Sequence, residues 1–305
     1  MSEFKKSGAF AYIKLFTAIA VWGGSFIATK IAVREISPVT VVWLRFLIGS
    51  IILGVIARIR GGLKIHTLKD GAELLWLGFL GITLHQWLQS SGLVTSDAST
   101  TAWIVSTTPI FMALLGWLLY GEKLSLPIFS GILLATSGVF FMVAKGDFGS
   151  LLSGNFGAPG DLLIVLSAPN WALFSVLSRP ILQKYSPLTV TFYVLFFGWI
   201  LTSLQFFSMQ GWREFSLLSS AGWGSIIFLG VFCSALAYIL YNEGVKTFSS
   251  TQVGIFLYLE PVVATIVAAI VLSEPFGWPS LIGAFAIIAG VWLVNKENAS
   301  PKNPS

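Results

Sequence analysis

The sequence is poor in charge and in cysteine, and each scarcity excludes a class of protein. Charged residues make up 10% of the chain and apolar residues 55%, whereas a soluble domain carries about 25% charged residues. A water-soluble chain of 305 residues could not cover its surface with so few charges, so we expect a membrane protein that crosses the bilayer several times. The single cysteine, Cys233, excludes an intrachain disulfide.

Motifs for catalysis and cofactor binding are also missing. The sequence has no G-x-x-x-x-G-K-[ST] stretch, so we do not expect this chain alone to drive pumping with ATP. It shows no metal-ligand spacing and no Ser/His/Asp set with supporting context. We therefore predict that the chain is not an enzyme and that it uses no cofactor and no metal. The net charge of +5 does not indicate nucleic-acid binding, because the basic residues cluster at the ends of apolar segments.

The apolar residues fall into ten segments, each near the ~20 residues that a membrane-spanning helix requires. The segments are roughly 10–33, 38–59, 72–94, 97–119, 125–144, 160–183, 187–209, 221–245, 250–272 and 277–295. The predicted fold is an all-α membrane protein of ten transmembrane helices.

The second half of the sequence repeats the first. An offset of 152 residues pairs the following residues: Gly92 with Gly244, Pro109 with Pro261, Glu122 with Glu274, Gly131 with Gly283, and Gly138 with Gly290. An offset of 149 residues pairs Trp22 with Trp171 and Ser37-Pro38 with Ser186-Pro187. Because a repeat determines the fold, we divide the chain into two copies of one unit, residues 1–150 and residues 151–305, called here the first half and the second half.

Five segments in each half is an odd number, so the second half is predicted to be inverted in the membrane relative to the first. Inverted repeats recur in secondary transporters, where the substrate site lies near mid-membrane between the halves. Two inverted halves can adopt outward-open and inward-open states of similar energy. The repeat therefore favours a transporter that works by alternating access.

The distribution of lysine and arginine predicts the orientation. If the N-terminus is inside, thirteen basic residues lie on the inner side and four on the outer side. The outer four are Lys30, Arg34, Lys145 and Arg213. The positive-inside rule then places both termini in the cytoplasm. The expected location of the protein is the cell (inner) membrane.

Glu260 is the acidic residue that this arrangement places near mid-membrane. It comes about ten residues into the ninth segment, roughly 15 Å along a helix and so near the middle of the ~30 Å hydrocarbon core. A charged carboxylate there costs on the order of 2.5 kcal/mol or more, so we expect Glu260 either to be protonated or to face a polar cavity. Two interpretations stay open: a site for a proton or a substrate amine, or a neutral acid that bonds the backbone freed by Pro261. Its counterpart in the first half is Thr108.

Arg45 lies inside the second segment, at a depth similar to Gln86 and Gln89 in the third. A guanidinium is a good partner for a substrate carboxylate because of its planar fork, but bracing of neighbouring helices is the favoured interpretation. Glu122 and Glu274 occupy matching positions at segment junctions, where an acid before a helix N-terminus is favoured by the helix dipole. Both are interpreted as structural caps, and His85 as a helix-packing residue.

The motifs in the two halves resemble those of the EamA family, ten-span carriers of the drug/metabolite transporter superfamily. They are Ser37-Pro38 to Arg45-Phe46, Asp97-Ala98-Ser99, Pro109, Gly121-Glu122, Pro127, Gly131, Gly138, Glu260-Pro261, Glu274, Gly283 and Gly290. The resemblance implies a central cavity formed by segments 1, 3, 4, 6, 8 and 9. The candidates to line it are Trp22, Gln86, Trp103, Trp171, Tyr238 and Glu260. Arg45 falls outside that set, which favours bracing, and Ser273-Glu274 departs from the Gly-Glu pattern.

The predicted function is secondary transport of a small-molecule substrate across the lipid bilayer, as export of amino acids or similar amphipathic metabolites. Multidrug efflux is a second interpretation, since an aromatic cavity with one acid would also suit it. A membrane sensor or scaffold without transport is disfavoured, because the loops are short. The sequence leaves open the substrate, export against uptake, coupling to protons, and whether the chain forms a homodimer.

Overall fold

A computed structural model describes residues 2–61, 63–120, 126–144, 157–247, 257, 259–275 and 277–299. Within these ranges the chain is helical nearly throughout and contains no strand. The predicted cap Glu122 lies outside the described residues.

Eight helical elements cover the described residues of the first half. They are α1 (Ser2–Ala32), α2 (Pro38–Ile59), α3 (Leu68–Gly78), the π-helix π1 (Phe79–Leu84), α4 (His85–Gly92), α5 (Ala98–Val105), α6 (Thr108–Tyr120) and α7 (Leu126–Val143). The described part of the second half contains α8 (Pro159–Lys184), α9 (Pro187–Ser208), a 3-10 helix (Gly211–Leu217), α10 (Ser220–Phe228), the π-helix π2 (Leu229–Leu236), α11 (Ala237–Thr247), α12 (Leu259–Val271) and α13 (Trp278–Ala299). Helical stretches overlap all ten apolar segments of the sequence.

Five helical stretches in the described residues are long and apolar enough to cross a membrane. They are Tyr12–Ala32, Pro38–Ile59, Pro159–Lys184, Pro187–Ser208 and Ser220–Glu243. Shorter apolar helices are Phe129–Met142, Leu259–Val271 and Trp278–Gly290. The prediction of an all-helical membrane protein is thus confirmed at this level.

The same local sequence starts α2 and α9, and it starts them in the same way. Ser37 and Ser186 are the N-cap residues, and a proline follows each in the first turn. The Ser37 hydroxyl accepts a hydrogen bond from the Thr40 N–H, and the Ser186 hydroxyl accepts one from the Thr189 N–H. Each serine satisfies an N–H that the helix leaves free, and proline costs nothing at this position.

Helices from the two halves touch backbone to backbone at glycine. A Cβ built on Gly138 of α7 would lie 2.8 Å from the Gly283 carbonyl oxygen of α13, and one built on Gly283 would lie 2.8 Å from the Gly138 oxygen. Gly290 approaches the Gly131 oxygen in the same way, at 2.5 Å. The second contact is the first one shifted by 152 residues. Small residues that permit such approach provide much of the packing between helices in a membrane.

A second pair of matched contacts joins α2 with π2 and α9 with the π1 region. A Cβ on Gly49 would lie 2.9 Å from the Ser234 Cβ, and one on Gly198 would lie 2.4 Å from the Ile82 Cβ. Gly49 and Gly198 are separated by the 149-residue offset, and Ser234 and Ile82 by the 152-residue offset. Contacts between the halves therefore come in pairs that the sequence repeat relates.

Polar side chains tie the two halves together at both ends of the bundle. At one end, Glu35 accepts hydrogen bonds from the N–H and hydroxyl of Ser219, at 2.8 and 2.6 Å. At the other end, Lys184 donates to both carboxylate oxygens of Asp70, at 2.6 and 2.7 Å, and the Tyr185 hydroxyl donates at 2.6 Å. Lys184 follows Glu35 by 149 residues, and Ser219 follows Asp70 by 149 residues. We call these the Glu35 end and the Asp70 end.

Asp70 precedes the apolar segment 72–94, and its pKa is lowered to about 2, chiefly by the hydrogen bond from Lys184 and then by the one from Tyr185. Because the folded pKa is below that of the unfolded chain, the stabilisation is present above the unfolded value, near 4, and is lost as the pH falls toward 2. The contacts of Asp70 with Lys184 and Tyr185 therefore contribute the same stability throughout the neutral pH range.

Glu274 caps a helix of the other half. Its carboxylate accepts hydrogen bonds from the backbone N–H groups of Ala98 and Ser99, at 2.8 and 3.1 Å, and from the Ser99 hydroxyl at 2.9 Å. The N-cap residue Asp97 supplies no such bond from its own side chain. Ser273 holds the turn with φ of 55°, a left-handed conformation that favours glycine. The matching residue of the first half is Gly121.

Gly198→Ala is expected to lower the melting temperature, because the added methyl overlaps Ile82 and the Gly78 carbonyl. Overpacking of this kind costs about 1–3 kcal/mol. Gly224→Ala is the matched control: it is also inside a helix, but nothing lies within 4 Å of its built Cβ. Thermal unfolding in detergent compares the two. Equal melting of both variants would show that the contact at Gly198 is not tight.

Candidate functional site

Five ring-bearing side chains from both halves meet inside the bundle. The set, called the aromatic cluster, consists of Trp22 on α1, His85 on α4, Trp171 on α8, and Tyr238 and Tyr241 on α11. Trp22 lies 4.8 Å from Tyr241, 5.2 Å from Tyr238 and 6.2 Å from Trp171 between ring centroids. The His85 ring lies 4.7 Å from Trp171. These separations are those of edge-to-face and tilted aromatic pairs.

The two π-helices supply backbone acceptors to donors from the other half. The Trp22 indole N–H donates to the Cys233 carbonyl oxygen of π2 at 3.0 Å. The Asn170 amide donates to the Leu80 carbonyl oxygen of π1 at 2.8 Å. Short π-helical turns within α-helices often occur at functional sites. Here each one receives a polar side chain from the first long helix of the opposite half.

Arg45 is buried beside the aromatic cluster and joins three helices. Its Nε donates to the Ser234 hydroxyl of π2 at 3.2 Å, and its Nη1 donates to the Gln86 Oε1 of α4 at 3.0 Å. Gln86 lies next to Tyr238 of the aromatic cluster. The guanidinium charge also acts on His85 and Cys233. A buried arginine requires such partners, and they link α2 to helices of both halves.

Glu260 stands in the first turn of α12, against α1. A Cβ built on Gly23 would lie 2.8 Å from the Glu260 carbonyl oxygen and 2.8 Å from the Val263 Cβ, so the two backbones are in contact there. The Glu260 carboxylate interacts electrostatically with Tyr241 and Cys233. It is half-buried, and among the described residues it makes no hydrogen bond or ion pair. The acid therefore lies beside the aromatic cluster with no hydrogen-bond partner among the described residues.

The structure brings together most of the residues that the sequence proposed for a cavity. Trp22, Trp171 and Tyr238 are in the aromatic cluster, Gln86 binds Arg45 at its edge, and Glu260 lies next to it. Trp103 is placed elsewhere. Its indole N–H donates to the Thr265 hydroxyl at 3.0 Å, and its ring packs in a separate core with residues of α6, α7 and α13.

Sequence reasoning missed one member of this region, Ser234, and named a second, His85, only as a helix-packing residue. The His85 ring lies tilted against Trp171 and its Nδ1 lies 3.2 Å from the Ser167 carbonyl oxygen, so His85 does pack between α4 and α8. Ser234 had no assigned role and contacts Arg45. A signal for His85 exists in the sequence, because it directly precedes Gln86 inside an apolar segment. The signal for Ser234 is weak, since a serine in a membrane helix is common.

Comparison with known proteins points to one family over nearly the whole chain. The model of the EamA-like transporter family matches twice, at residues 9–144 and 158–296. An uncharacterized transporter of Archaeoglobus fulgidus is 29% identical over 94% of this chain and 97% of its own length. The uncharacterized transporter YetK of Bacillus subtilis is 28% identical over 95% and 88%.

Two further relatives bear on function and on fold. A protein of Streptantibioticus cattleyicolor described as a probable terminal-alkyne amino-acid exporter is 24% identical over 93% of this chain and 92% of its own. A solved crystal structure superposes with a TM-score of 0.68 at 20% identity, covering 96% of this chain and 99% of the other. The double match of the family model over most of the chain shows that the chain belongs to the EamA-like transporter family.

Proposed function

We propose that this membrane transporter is a secondary exporter of small amphipathic metabolites that carry an amino group, amino acids or compounds close to them. The observation that carries the proposal is the Glu260 carboxylate beside the aromatic cluster, which has no hydrogen-bond or ion-pair partner among the described residues. A carboxylate attracts an ammonium group by its opposite charge. Aromatic faces attract it through cation–π interactions, each of which stabilises binding by about 0.5–2 kcal/mol. The relative described as an amino-acid exporter supports this substrate class.

Alternating access by two inverted five-helix halves is the mechanism we propose. The paired glycine contacts and the matched joints at the Glu35 and Asp70 ends support it, because each contact recurs at the offset of the sequence repeat. In such an arrangement the two ends can open in turn while the central packing is kept. The aromatic cluster draws on helices of both halves, so relative movement of the halves would change the access to it.

Multidrug efflux is the second candidate, and the aromatic cluster itself favours it. Trp22, Trp171 and the two tyrosines offer wide apolar faces, and one acid beside them suits many amphipathic cations. Compared with an amino acid, such a substrate needs no partner for a carboxylate. Arg45, the nearby cation, already donates to Ser234 and Gln86.

A substrate panel in proteoliposomes tests the proposal. Purified protein is reconstituted and loaded with labelled amino acids, with their decarboxylated amines, or with aromatic organic cations. We expect efflux of amino acids above protein-free vesicles, inhibited by an excess of unlabelled substrate. Efflux confined to the organic cations would favour the multidrug function, and no efflux of any amino compound would contradict the proposal.

Both termini are proposed to face the cytoplasm, with the Asp70 end on the cytoplasmic side of the inner membrane. Reporter fusions after Lys296 and in the loop near Lys145 should report opposite sides, the first inside. A fusion after Arg60 serves as a second internal marker. If the Lys296 and Lys145 fusions report the same side, the five-plus-five inverted arrangement is wrong.

Arg45 is proposed to brace the helices, and Arg45→Lys tests this. The ammonium keeps the charge but loses the fork that reaches Ser234 and Gln86 together. The loss of a buried hydrogen bond to a charged group costs about 1–3 kcal/mol, so we expect a lower melting temperature and an unchanged KM in the protein that survives. Arg60→Lys, at an exposed site just after the same helix, is the control. Normal stability with a large rise in KM would instead make Arg45 a binding residue.

Glu260→Gln is expected to leave the fold intact and to abolish accumulation driven by a proton gradient. The carboxyl can bind and release a proton, and glutamine of the same shape cannot. Transport is measured at several external pH values for wild type, Glu260→Gln and the control Glu73→Gln, a carboxylate on α3 outside the cluster. A Glu260→Gln variant that matches wild type in rate and in pH dependence would show that Glu260 is structural.

A further inference from the structure

A groove on the outer surface of the bundle lies between α2 and α9, away from the aromatic cluster. It has a volume of about 350 Å³. Its lining residues on α2, which include Ile51, Val55 and Arg58, recur every three to four positions and so form one stripe of the helix. Phe192 and Trp199 are among those that line it from α9. Ile51 and Val55 are 58% and 55% exposed, so the groove is open to the bilayer.

The groove has the length of one bilayer leaflet. Its stripe on α2 extends from Leu47 to Arg58, which is ~16 Å along a helix. Half of the ~30 Å hydrocarbon core is about 15 Å. An extended acyl chain that follows the groove would therefore bring its headgroup to the Arg58 end.

The opposite end of the same helix pair is filled with aromatic rings. There Trp43 of α2 stacks on Phe206 of α9 with centroids 4.0 Å apart, and Phe207 packs edge-on against Trp43 at 6.2 Å. At the 149-residue offset, Phe206 corresponds to Ala57 and Phe207 to Arg58. Of these two positions on α2, Arg58 lines the groove, so an arginine stands there where the opposite end of the helix pair has a phenylalanine ring.

Arg58 gives the groove a charge preference. It is exposed, and no described residue forms an ion pair with it. Arg60 lies one half-turn beyond, outside the groove lining. A guanidinium at the mouth of an apolar groove of leaflet length suits a ligand with one or more long chains and an anionic head.

We propose that the groove between α2 and α9 binds a phospholipid with an anionic headgroup, the acyl chain lying against Val55 and Phe192 and the phosphate at Arg58. The bound lipid bridges one helix of the first half and one helix of the second. It stabilises their contact and occupies the volume that Phe206 and Phe207 fill at the other end. The proposal depends on membrane embedding and not on the transported substrate.

The test measures lipid binding to the purified full chain by native mass spectrometry, with phosphatidylglycerol and phosphatidylcholine as probes, and measures thermal stabilisation by each lipid. We expect Arg58→Gln to weaken phosphatidylglycerol binding about fivefold, the change expected for loss of one basic residue near an anionic lipid, and to weaken phosphatidylcholine less, because its choline cation offsets the phosphate charge. Arg60→Gln should retain wild-type binding. Val55→Trp, which fills the groove, should weaken both lipids, whereas Ile59→Trp, at an exposed site, should weaken neither.

Several outcomes would overturn the proposal. Equal losses in Arg58→Gln and Arg60→Gln would indicate general attraction of lipid to a basic surface. Unchanged lipid binding in Val55→Trp would show that the acyl chain lies elsewhere. If Val55→Trp fails to fold, Ile51→Phe replaces it, and lipid binding is measured in the same way. If the wild type is a dimer and Val55→Trp dissociates it without any change in lipid binding, the groove binds a second copy of the chain and not a lipid.

Discussion

Close approach of helix backbones at glycine is the constraint on which the other contacts of this protein depend. Lipid tails are as apolar as leucine, so apolar side chains gain little by leaving lipid for a protein neighbour, and close packing must supply the attraction. At Gly23 the backbone of α1 reaches that of α12 at Glu260. This contact brings Trp22 and the acid into one region. At Gly49 the same kind of contact sets α2 against π2, where Arg45 finds Ser234.

Buried polar groups then use the partners that this packing offers. In lipid no water satisfies polar groups, so most of them find their partners within the protein. The Trp22 indole and the Asn170 amide take carbonyl oxygens of the two π-helices, and Arg45 takes Ser234 and Gln86. Glu260 has no such partner among the described residues. The packing that gives Trp22 and Arg45 their partners thus provides none for this acid in the part of the chain that the structure describes.

The sequence predicts what is local, and it fails where a contact depends on the other half. Short sequence patterns predict the helices and the Ser-Pro starts of α2 and α9, because neighbouring residues determine them. The repeat is visible directly in the sequence. Glu274 was expected to cap, but the helix that it caps, α5, belongs to the first half and cannot be identified from spacing. Trp103 shares its residue type with Trp22 and Trp171, yet Thr265 binds its N–H in a different core. Residue type and depth do not tell which neighbour a side chain faces.

The repeat is nearly symmetric in its packing but not in the chemistry of its site. Glu260 and Thr108 are counterparts at the 152-residue offset. The Thr108 hydroxyl donates to the Val105 carbonyl oxygen at 2.7 Å. In the first half, the polar group at this position therefore has a hydrogen-bond partner three residues away. The second half places an acid there, and this acid has no hydrogen-bond partner among the described residues. The packing of the two halves therefore follows the sequence repeat, whereas the polar groups beside the aromatic cluster do not.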